Sequence, residues 1–473
     1  MGVVARAGAG GIDRASPRAG AGVGTRLTDS ASYAHLWSTD ELVQVFDEPA
    51  RLQCWLDILV ALARVQARLG IVPADAAEAI AAGAQVQSLD LDYVAEQTRL
   101  TSHSTLGLIR GLRRVLPEHA REYVYVGATV QDLTDTWFGV VLREVGALVW
   151  RELRALEADL LDLAQTHRDT VQVGRTHGQP GAPITFGFKA ASWADEVRRH
   201  LQRLREGRSR WLVGQLGGAV GVLGFFEADA TALRQQFCAE VGLADPGISW
   251  LTSRDRLAEF GHLLAMVCST LARIGGEVYE LQRPEIDELA EPTTATAVGS
   301  ITMPHKRNPE SSEHLDTLAR LARSSAAVLT EGMTQLHERD GRGWKAEWVA
   351  LPEVCLLTGA ALRTARTIVS GLEVHAGVMA ANLRRHGDTM ASERVLAGLS
   401  TRLGKHQAQA ALQEVLAGRP ADLAVALAER GLASVEDVRG WISRPRVATA
   451  GEMVDAVLAR AAAARAGETE TWP

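Results

Sequence analysis

The chain has 473 residues, of which 47% are hydrophobic and 23% charged, a size and composition that predict a soluble protein of two or three domains. Its net charge of -7 excludes a globally basic surface of the kind that binds nucleic acid. No uninterrupted apolar run reaches the roughly 18 residues that span a membrane, and four widely spaced cysteines form neither a metal pattern nor a disulfide framework, which favours the cytoplasm.

The start of the chain differs in composition from the rest. Residues 1–30 are rich in Gly, Ala and Arg, and we expect a disordered tail there because the segment offers no apolar face to bury. Residues 31–126 predict an N-terminal helical domain, in which residues 47–70 form one helix. Residues 123–126 alternate Tyr and Val and predict a short strand.

Long helical patterns dominate residues 127–386, where apolar side chains recur at steps of three and four. The predicted helices span residues 136–166, 186–211, 253–282, 311–336 and 352–383, with a short extended segment at 171–173. After residue 387 Gly and Pro separate shorter helices, which predicts a small C-terminal helical domain over 387–473. The fold class is therefore mainly α, a three-domain subunit with a long central helical bundle.

One loop, residues 299–308, combines a hydroxyl, a cation and an amide in the sequence Gly-Ser-Ile-Thr-Met-Pro-His-Lys-Arg-Asn. Removing a proton next to a carboxylate places extra negative charge on that carboxylate, so the base needs a cation and donors beside it. Ser300 is the candidate base, and Lys306 and Asn308 are candidates to hold the charge. The alternative is a polar turn that leads into a helix, with Asn308 as its cap and Pro309 at its first position.

Other polar segments lie beside predicted helix ends. His177 stands in Gly-Arg-Thr-His-Gly-Gln-Pro, where a structural histidine is the alternative to a catalytic one. Residues 127–132, Gly-Ala-Thr-Val-Gln-Asp, are also consistent with a capped helix start. Residues 337–348 combine Arg339, Arg342 and Lys345 with two tryptophans. These cations could meet a second carboxylate or an anionic leaving group, and a solvated charge run is the alternative.

The spacing Gly-Ser-x-x-Met-x-x-Lys-x-Asn of residues 299–308 resembles the signature loop of the fumarase/aspartase superfamily, and the likeness covers roughly residues 35–415. Members of this family cleave C–N or C–O bonds by β-elimination, usually releasing fumarate. The resemblance implies a homotetramer whose active sites are shared between subunits, and no metal or organic cofactor. It assigns catalysis to Ser300, to His177 as general acid and to Glu313 as the partner of that histidine. It assigns substrate binding to His103, Thr129, the backbone N–H of Val130, Gln131, Lys306, Asn308, Arg339 and Arg342.

The reaction that the resemblance implies is anti β-elimination on a substituted succinate, a small dicarboxylate. Ser104, Val130 and Ile301 stand where relatives usually carry Asp, Ser and Ser, and this loss of polar partners predicts a specialised pocket. Nitrosuccinate, which releases nitrite in secondary-metabolite biosynthesis, is the favoured substrate. Adenylosuccinate lyase and 3-carboxy-cis,cis-muconate cycloisomerase activities are the alternatives. A non-catalytic structural homologue is disfavoured because the set of catalytic residues is complete.

Overall fold

The N-terminal region is a layer of helices around one long helix. The computed structural model describes residues 26–226, 229–293, 298–443 and 447–472, so most of the predicted tail lies outside the described residues. Asp47 starts the long helix, because its carboxylate accepts the Ala50 N–H at 2.7 Å and Pro49 follows in the first turn. The helices are α1 (Ala34–Trp37), α2 (Asp40–Phe46), α3 (Glu48–Arg68), α4 (Ala74–Gly83), α5 (Leu91–Thr101), α6 (Leu106–Val115) and α7 (Glu118–Arg121), with 3-10 turns at Leu27–Asp29 and Val86–Ser88.

A bundle of long helices forms the centre of the described structure, which confirms the mainly α prediction. Its core is continuous with that of the N-terminal region, since α3 buries its apolar face against α8. The helices are α8 (Val130–Thr166), α9 (Phe186–Trp211), α10 (Ala230–Glu240), α11 (Asp255–Leu281), α12 (Glu310–Glu331) and α13 (Gly341–Ser370).

The long helices alternate in direction and so define two ends of the bundle. Arg254, just before α11, hydrogen-bonds to Asp135 near the start of α8 and to Glu347 near the start of α13, so these three helices begin together. We call this the Thr129 end. Gln282, just after α11, donates to the carbonyl of Arg307, just before α12, at the opposite end, which we call the Ser300 end.

Two predictions of local structure are wrong. The helix predicted over 352–383 instead begins at Gly341 and ends at Ser370, because Pro352 lies inside α13 rather than at its start. A proline removes one backbone donor, and a long packed helix tolerates that loss. Residues 123–126 form turns rather than a strand, and both Tyr125 (φ 69°) and Gly127 (φ 70°) are left-handed there.

A β-hairpin projects from the Ser300 end and confirms the extended segment at 171–173. Strands β1 (Val171–Thr176) and β2 (Gln179–Thr185) are antiparallel, with Val171 opposite Thr185. Phe186 then begins α9, and the predicted and observed bounds of that helix coincide. A second small antiparallel pair joins β3 (Leu289–Ala290) to β4 (Glu373–Val374).

The C-terminal part divides into two groups of helices. Residues 395–438 have an apolar cluster of their own. The last helix instead returns to the bundle, where Asp455 pairs with Arg168 and Arg465 pairs with Glu157. The helices are α14 (Ala376–Arg385), α15 (Ser392–Leu403), α16 (Lys405–Ala417), α17 (Leu423–Glu429), α18 (Val435–Ile442) and α19 (Ala450–Ala466), with a 3-10 turn at Gly387–Ala391.

Helix α11 alone in the described part of the chain has the length and apolar composition of a membrane span. In its most apolar 18-residue window, 67% is buried inside the fold. Burial in the bundle therefore accounts for this composition.

Candidate active site

The loop that carries Ser300 folds back on itself at the Ser300 end. The Ser300 Oγ accepts the Met303 N–H at 3.0 Å, and the Asn308 amide donates to the Gly299 carbonyl at 2.7 Å. Gly299 is required for this path, because a Cβ there would lie 2.2 Å from the Lys306 carbonyl oxygen. An N–H donor beside the Ser300 oxygen stabilises negative charge on it, as a basic serine needs. The Lys306 side chain is exposed on the same loop.

The start of α12 is capped by a residue that is distant in sequence. The Glu291 carboxylate accepts the N–H groups of Ser311 and Ser312 at 3.2 and 2.6 Å. The Asn308 amide therefore holds the loop rather than capping the helix. Glu313 lies exposed in the first turn of α12. Sequence analysis missed Glu291, which has no local pattern because its partners lie about twenty residues away.

His177 occupies the exposed tip of the β1–β2 hairpin with φ 54°. The base of the hairpin is anchored by Glu288, which accepts from Gln172, Arg175 and Asn382 at 2.8–2.9 Å. Burial opposes ionisation of Glu288, but these donors hold its pKa below the usual value. Among the described residues of one subunit, no hydrogen bond or ion pair joins His177 to Glu313. His177, the candidate general acid, thus projects outward from a hairpin that Glu288 anchors.

Thr129 and Arg339 meet at the Thr129 end, where the Arg339 Nη1 donates to the Thr129 Oγ1 at 2.6 Å. The Arg339 guanidinium also lies 5.7 Å from the centre of the Trp344 ring. The Val130 N–H opens α8 and has no intrahelical acceptor, so the helix start favours an anion. Together these groups form a candidate cradle for a carboxylate, which we call the carboxylate cradle.

Asp132 ties the backbone of the cradle to the segment around Gly217. Its carboxylate accepts the N–H groups of Thr129, Gly217 and Gly218 at 2.7–3.0 Å. The residue is fully enclosed, and burial raises its pKa to about 6 despite these donors.

The remaining predicted binding residues differ in their exposure. Gln131 is fully buried and donates to the Leu251 carbonyl at 2.6 Å, so its side chain supports the start of α8 from within. The His103 Nδ1 accepts the Leu106 N–H at 3.2 Å, which places the proton of the neutral ring on Nε2. Arg342 is exposed and pairs with Asp340, the cap of α13.

A buried ionic cluster that sequence analysis missed ties the Thr129 end together. Arg254 donates to Asp135 at 2.7 and 3.0 Å and to Glu347 at 2.9 Å, all three side chains being at most 1% exposed. Burial raises the pKa of Asp135 and of Glu347. One signal for this cluster was present in the sequence, the position of Glu347 between the two tryptophans of residues 337–348.

One copy of the chain thus separates the predicted site residues into two sets. Ser300, Lys306, Asn308, His177 and Glu313 lie at the Ser300 end. The carboxylate cradle, His103 and Arg342 lie at the Thr129 end. The 27 residues of α11 span the distance between the ends, about 40 Å at 1.5 Å per residue. A four-carbon dicarboxylate cannot contact both sets within one chain.

Comparison with known proteins identifies the family. A family model described as a lyase matches residues 36–323. The chain is 38% identical over 384 residues to N-acetyl-S-(2-succino)cysteine lyase of Dickeya dadantii, covering 81% of this chain and 84% of the relative. It is 40% identical over 367 residues to 3-carboxy-cis,cis-muconate cycloisomerase of Pseudomonas aeruginosa, covering 77% and 80%. The 3-carboxy-cis,cis-muconate lactonizing enzyme of Pseudomonas putida superposes with a TM-score of 0.81 at 32% identity, covering 90% and 98%. The chain therefore belongs to the lyase family of the fumarase/aspartase superfamily, whose fold and class of chemistry it shares.

Proposed function

We propose that this lyase acts in the cytoplasm on a succinate substituted at C2 and releases fumarate by anti β-elimination. The observation that carries the proposal is the loop at 299–308. It keeps the serine, lysine and asparagine of an elimination site, and the Gly299–Asn308 hydrogen bond closes it.

The reaction divides among the two sets of residues. Ser300 takes a proton from C3, and the C–H electron pair becomes the C2=C3 double bond of fumarate. Lys306 balances the charge that grows on the adjacent carboxylate. Thr129 and Arg339 hold the other carboxylate. The leaving group departs from C2 with its bonding pair, and its negative charge is met by a proton from His177 or by a cation of residues 339–345. These steps are proton transfers and charge stabilisation, so no metal or organic cofactor enters them.

The separation of the two sets supports a site built from several copies of the chain, in a homotetramer. A neighbouring copy must bring its Ser300 end to the Thr129 end of the first. In a homotetramer a third copy, parallel to that neighbour, would bring a second Ser300 end to the same site, so that Glu313 of one copy approaches His177 of another, which one chain alone does not do. This pairing would fix the tautomer of the histidine.

Mixing experiments test the shared site. Ser300→Ala and Arg339→Met are each expected to be inactive, because each damages every site. When the two variants are unfolded together and refolded as mixed oligomers, some sites receive an intact Ser300 end and an intact Thr129 end, and activity returns. Ser300→Ala mixed with Lys306→Met is the control, because both changes lie on one loop and no site is repaired. Equal activity in the two mixtures would contradict the shared site.

Two leaving groups have independent support. Val130 and Ile301 replace polar residues of the family pattern, which favours a small anion such as nitrite from nitrosuccinate. The relative from Dickeya dadantii is named for a succinate that carries N-acetylcysteine through sulfur, which favours a thiolate. In both cases an anion departs, and cations beside the site stabilise it.

The first assay measures the ultraviolet absorbance of fumarate formed from nitrosuccinate, N-acetyl-S-(2-succino)cysteine and adenylosuccinate, with Ser300→Ala beside the wild type. Conversion of 3-carboxy-cis,cis-muconate is followed separately. Fumarate together with an equal amount of one leaving group, absent in Ser300→Ala, establishes the reaction. If none of these compounds is converted, the proposal is refuted.

A further inference from the structure

The loop at residues 299–308, which we call the Ser300 loop, is closed at one point. The Asn308 amide donates to the Gly299 carbonyl at 2.7 Å. A Cβ on Gly299 would lie 2.2 Å from the Lys306 carbonyl oxygen and 3.2 Å from the Arg307 Cα, so these backbones are in close contact. We call Gly299, Arg307 and Asn308 the neck of the loop. Residues 301–306 are exposed, so the neck connects them to the body of the protein.

Arg307 ties this neck to three other segments. Its Nη2 donates to the Glu291 carbonyl at 3.3 Å and to the Thr293 Oγ1 at 3.5 Å, and it forms an ion pair with Glu373 of β4 at 3.2 Å. Its own carbonyl accepts from Gln282, at the end of α11, at 3.3 Å. The position of the neck relative to α11 and β4 therefore depends on this one residue.

Gln282 and Glu291 hold the other side of this anchor. The Gln282 side chain that donates to the Arg307 carbonyl also accepts the Glu291 N–H at 2.7 Å. The Glu291 carboxylate in turn caps α12. The backbone acceptor that Arg307 uses is thus itself fixed by the end of one helix and the start of another.

The two neighbouring cations of the loop differ in their surroundings. Arg307 faces the Glu373 carboxylate, which balances its charge. The Lys306 side chain is exposed and makes neither an ion pair nor a hydrogen bond within the described part of the chain. The charge of Lys306 is therefore available to an anion, whereas Arg307 is already engaged by the protein.

We propose that Arg307 is a positioning residue that fixes the neck of the Ser300 loop and so sets where Ser300 and Lys306 meet the carboxylate cradle of a neighbouring copy. The inference rests on the proposed elimination and adds a residue that acts through the loop rather than on the substrate. Misplacement of a reacting group by about 1 Å can lower a rate about 100-fold. An exposed ion pair such as Arg307–Glu373 contributes little to stability. Its loss should therefore lower kcat while the free energy of unfolding, measured in urea, stays nearly unchanged.

The test measures kcat and KM for the succinate that the wild type converts best. Arg307→Met removes all contacts of the guanidinium, and we expect kcat to fall at least about tenfold with KM changed less than about twofold. Glu373→Gln removes only the ion pair, and about a threefold loss of kcat is expected. Arg307→Lys should recover part of kcat, because its ammonium can still reach Glu373. Arg283→Met is the control and should keep the wild-type kcat, because Arg283 pairs with Glu280 and Glu285 outside the loop.

A double variant distinguishes positioning from substrate binding. If Arg307 acts through Glu373, Arg307→Met combined with Glu373→Gln loses no more kcat than Arg307→Met alone, because the pair is already broken. Losses that multiply to about thirtyfold would overturn the inference. A raised KM in Arg307→Met with a wild-type kcat in Glu373→Gln would also overturn it, because Arg307 would then contact the substrate.

Hydrogen exchange in the loop separates failure of this inference from failure of the proposed function. The N–H groups of Met303 and Lys306 are hydrogen-bonded within the loop, and mass spectrometry of residues 299–308 follows their exchange without turnover. Exchange should be about threefold faster in Glu373→Gln than in Glu285→Gln, whose ion pair lies outside the loop. Equal exchange with an unchanged kcat would overturn the inference and leave the elimination standing. Faster exchange without turnover of any succinate would refute the elimination and leave the anchor in place.

Discussion

Replacement of Arg254 by Met tests how the Thr129 end is held together. The guanidinium is completely buried and joins Asp135 of α8 to Glu347 of α13, while its own backbone precedes α11. It also lies 5.0 Å from the centre of the Trp250 ring. Methionine fills much of the same space without a charge. The variant therefore leaves two buried carboxylates without their cation and changes packing little.

The expected loss of unfolding free energy is large, because the Arg254 charge no longer offsets the cost of burying the two carboxylates. Breaking a buried ion pair by removing one partner costs about 3–5 kcal/mol of unfolding free energy near neutral pH. Burial already raises the pKa of Asp135 and Glu347 above their ordinary values of 3.8 and 4.5, and removal of Arg254 raises both further.

The pH dependence gives the prediction its sign. A carboxyl whose pKa is higher in the folded state contributes stability below its unfolded pKa and loses that contribution as the pH rises through the folded pKa. Arg254→Met is therefore expected to approach the wild type near pH 4 and to fall away at higher pH. The slope is at most about 1.4 kcal/mol per pH unit for each carboxyl.

Urea unfolding followed by far-ultraviolet circular dichroism measures both effects. The protein concentration is kept fixed, because the proposed self-association would couple to stability. Arg320→Met is the matched control. Its ion pair with Asp316 is exposed on one face of α12, and its loss is expected to leave the free energy of unfolding nearly unchanged. A loss in Arg254→Met no larger than in this control, or a loss independent of pH, would refute the reasoning.

Three further predictions concern the two ends. Gly299→Ala is expected to lower kcat at least about tenfold, because the added Cβ would meet the Lys306 carbonyl and displace the loop. The circular dichroism spectrum should stay unchanged. Gly276→Ala is the control, since the space around Gly276 is open, and it should retain activity. Glu291→Ala removes the cap of α12 and should cost about 1 kcal/mol in urea unfolding; a neutral effect would show that the cap contributes nothing. The Asp132 pKa near 6 means that the wild type should gain about 1.3 kcal/mol relative to Asp132→Asn between pH 7 and pH 5; a relative loss would show that its donors outweigh burial.

The fold was largely predictable because a long amphipathic helix repeats one local pattern over many turns. The bounds of α9 follow from that pattern alone, since Thr185 and Trp211 mark clear changes in it. The start of α13 was missed because Pro352 looked like a helix start, whereas the first turns of the true helix carry charges and glycines. Local patterns identify helices well and their ends less well.

The candidate site was predictable only where its residues are neighbours in sequence. Ser300 and Lys306 share one loop, so the spacing itself places them together. Arg254 and Asp135 lie 119 positions apart, and only the packing of the bundle, in which α8 and α11 begin at the same end, brings them into contact. No periodicity or turn pattern records such a pairing. The supporting residues of a site are therefore harder to read from sequence than the reactive ones.

Exposed apolar side chains on the bundle suggest a direction for the proposed association. Met266 and Tyr279 of α11 and Leu321 of α12 expose apolar surface along the length that separates the two ends. A neighbour related by a two-fold axis perpendicular to the helices would cover this surface and run antiparallel, so that each Ser300 end meets a Thr129 end and both sites are completed at once. A parallel neighbour would cover the same surface but bring like ends together, and neither site would form. Recovery of activity in the Ser300→Ala and Arg339→Met mixture therefore requires the antiparallel arrangement, and its absence in correctly assembled mixtures would contradict a site shared in this way.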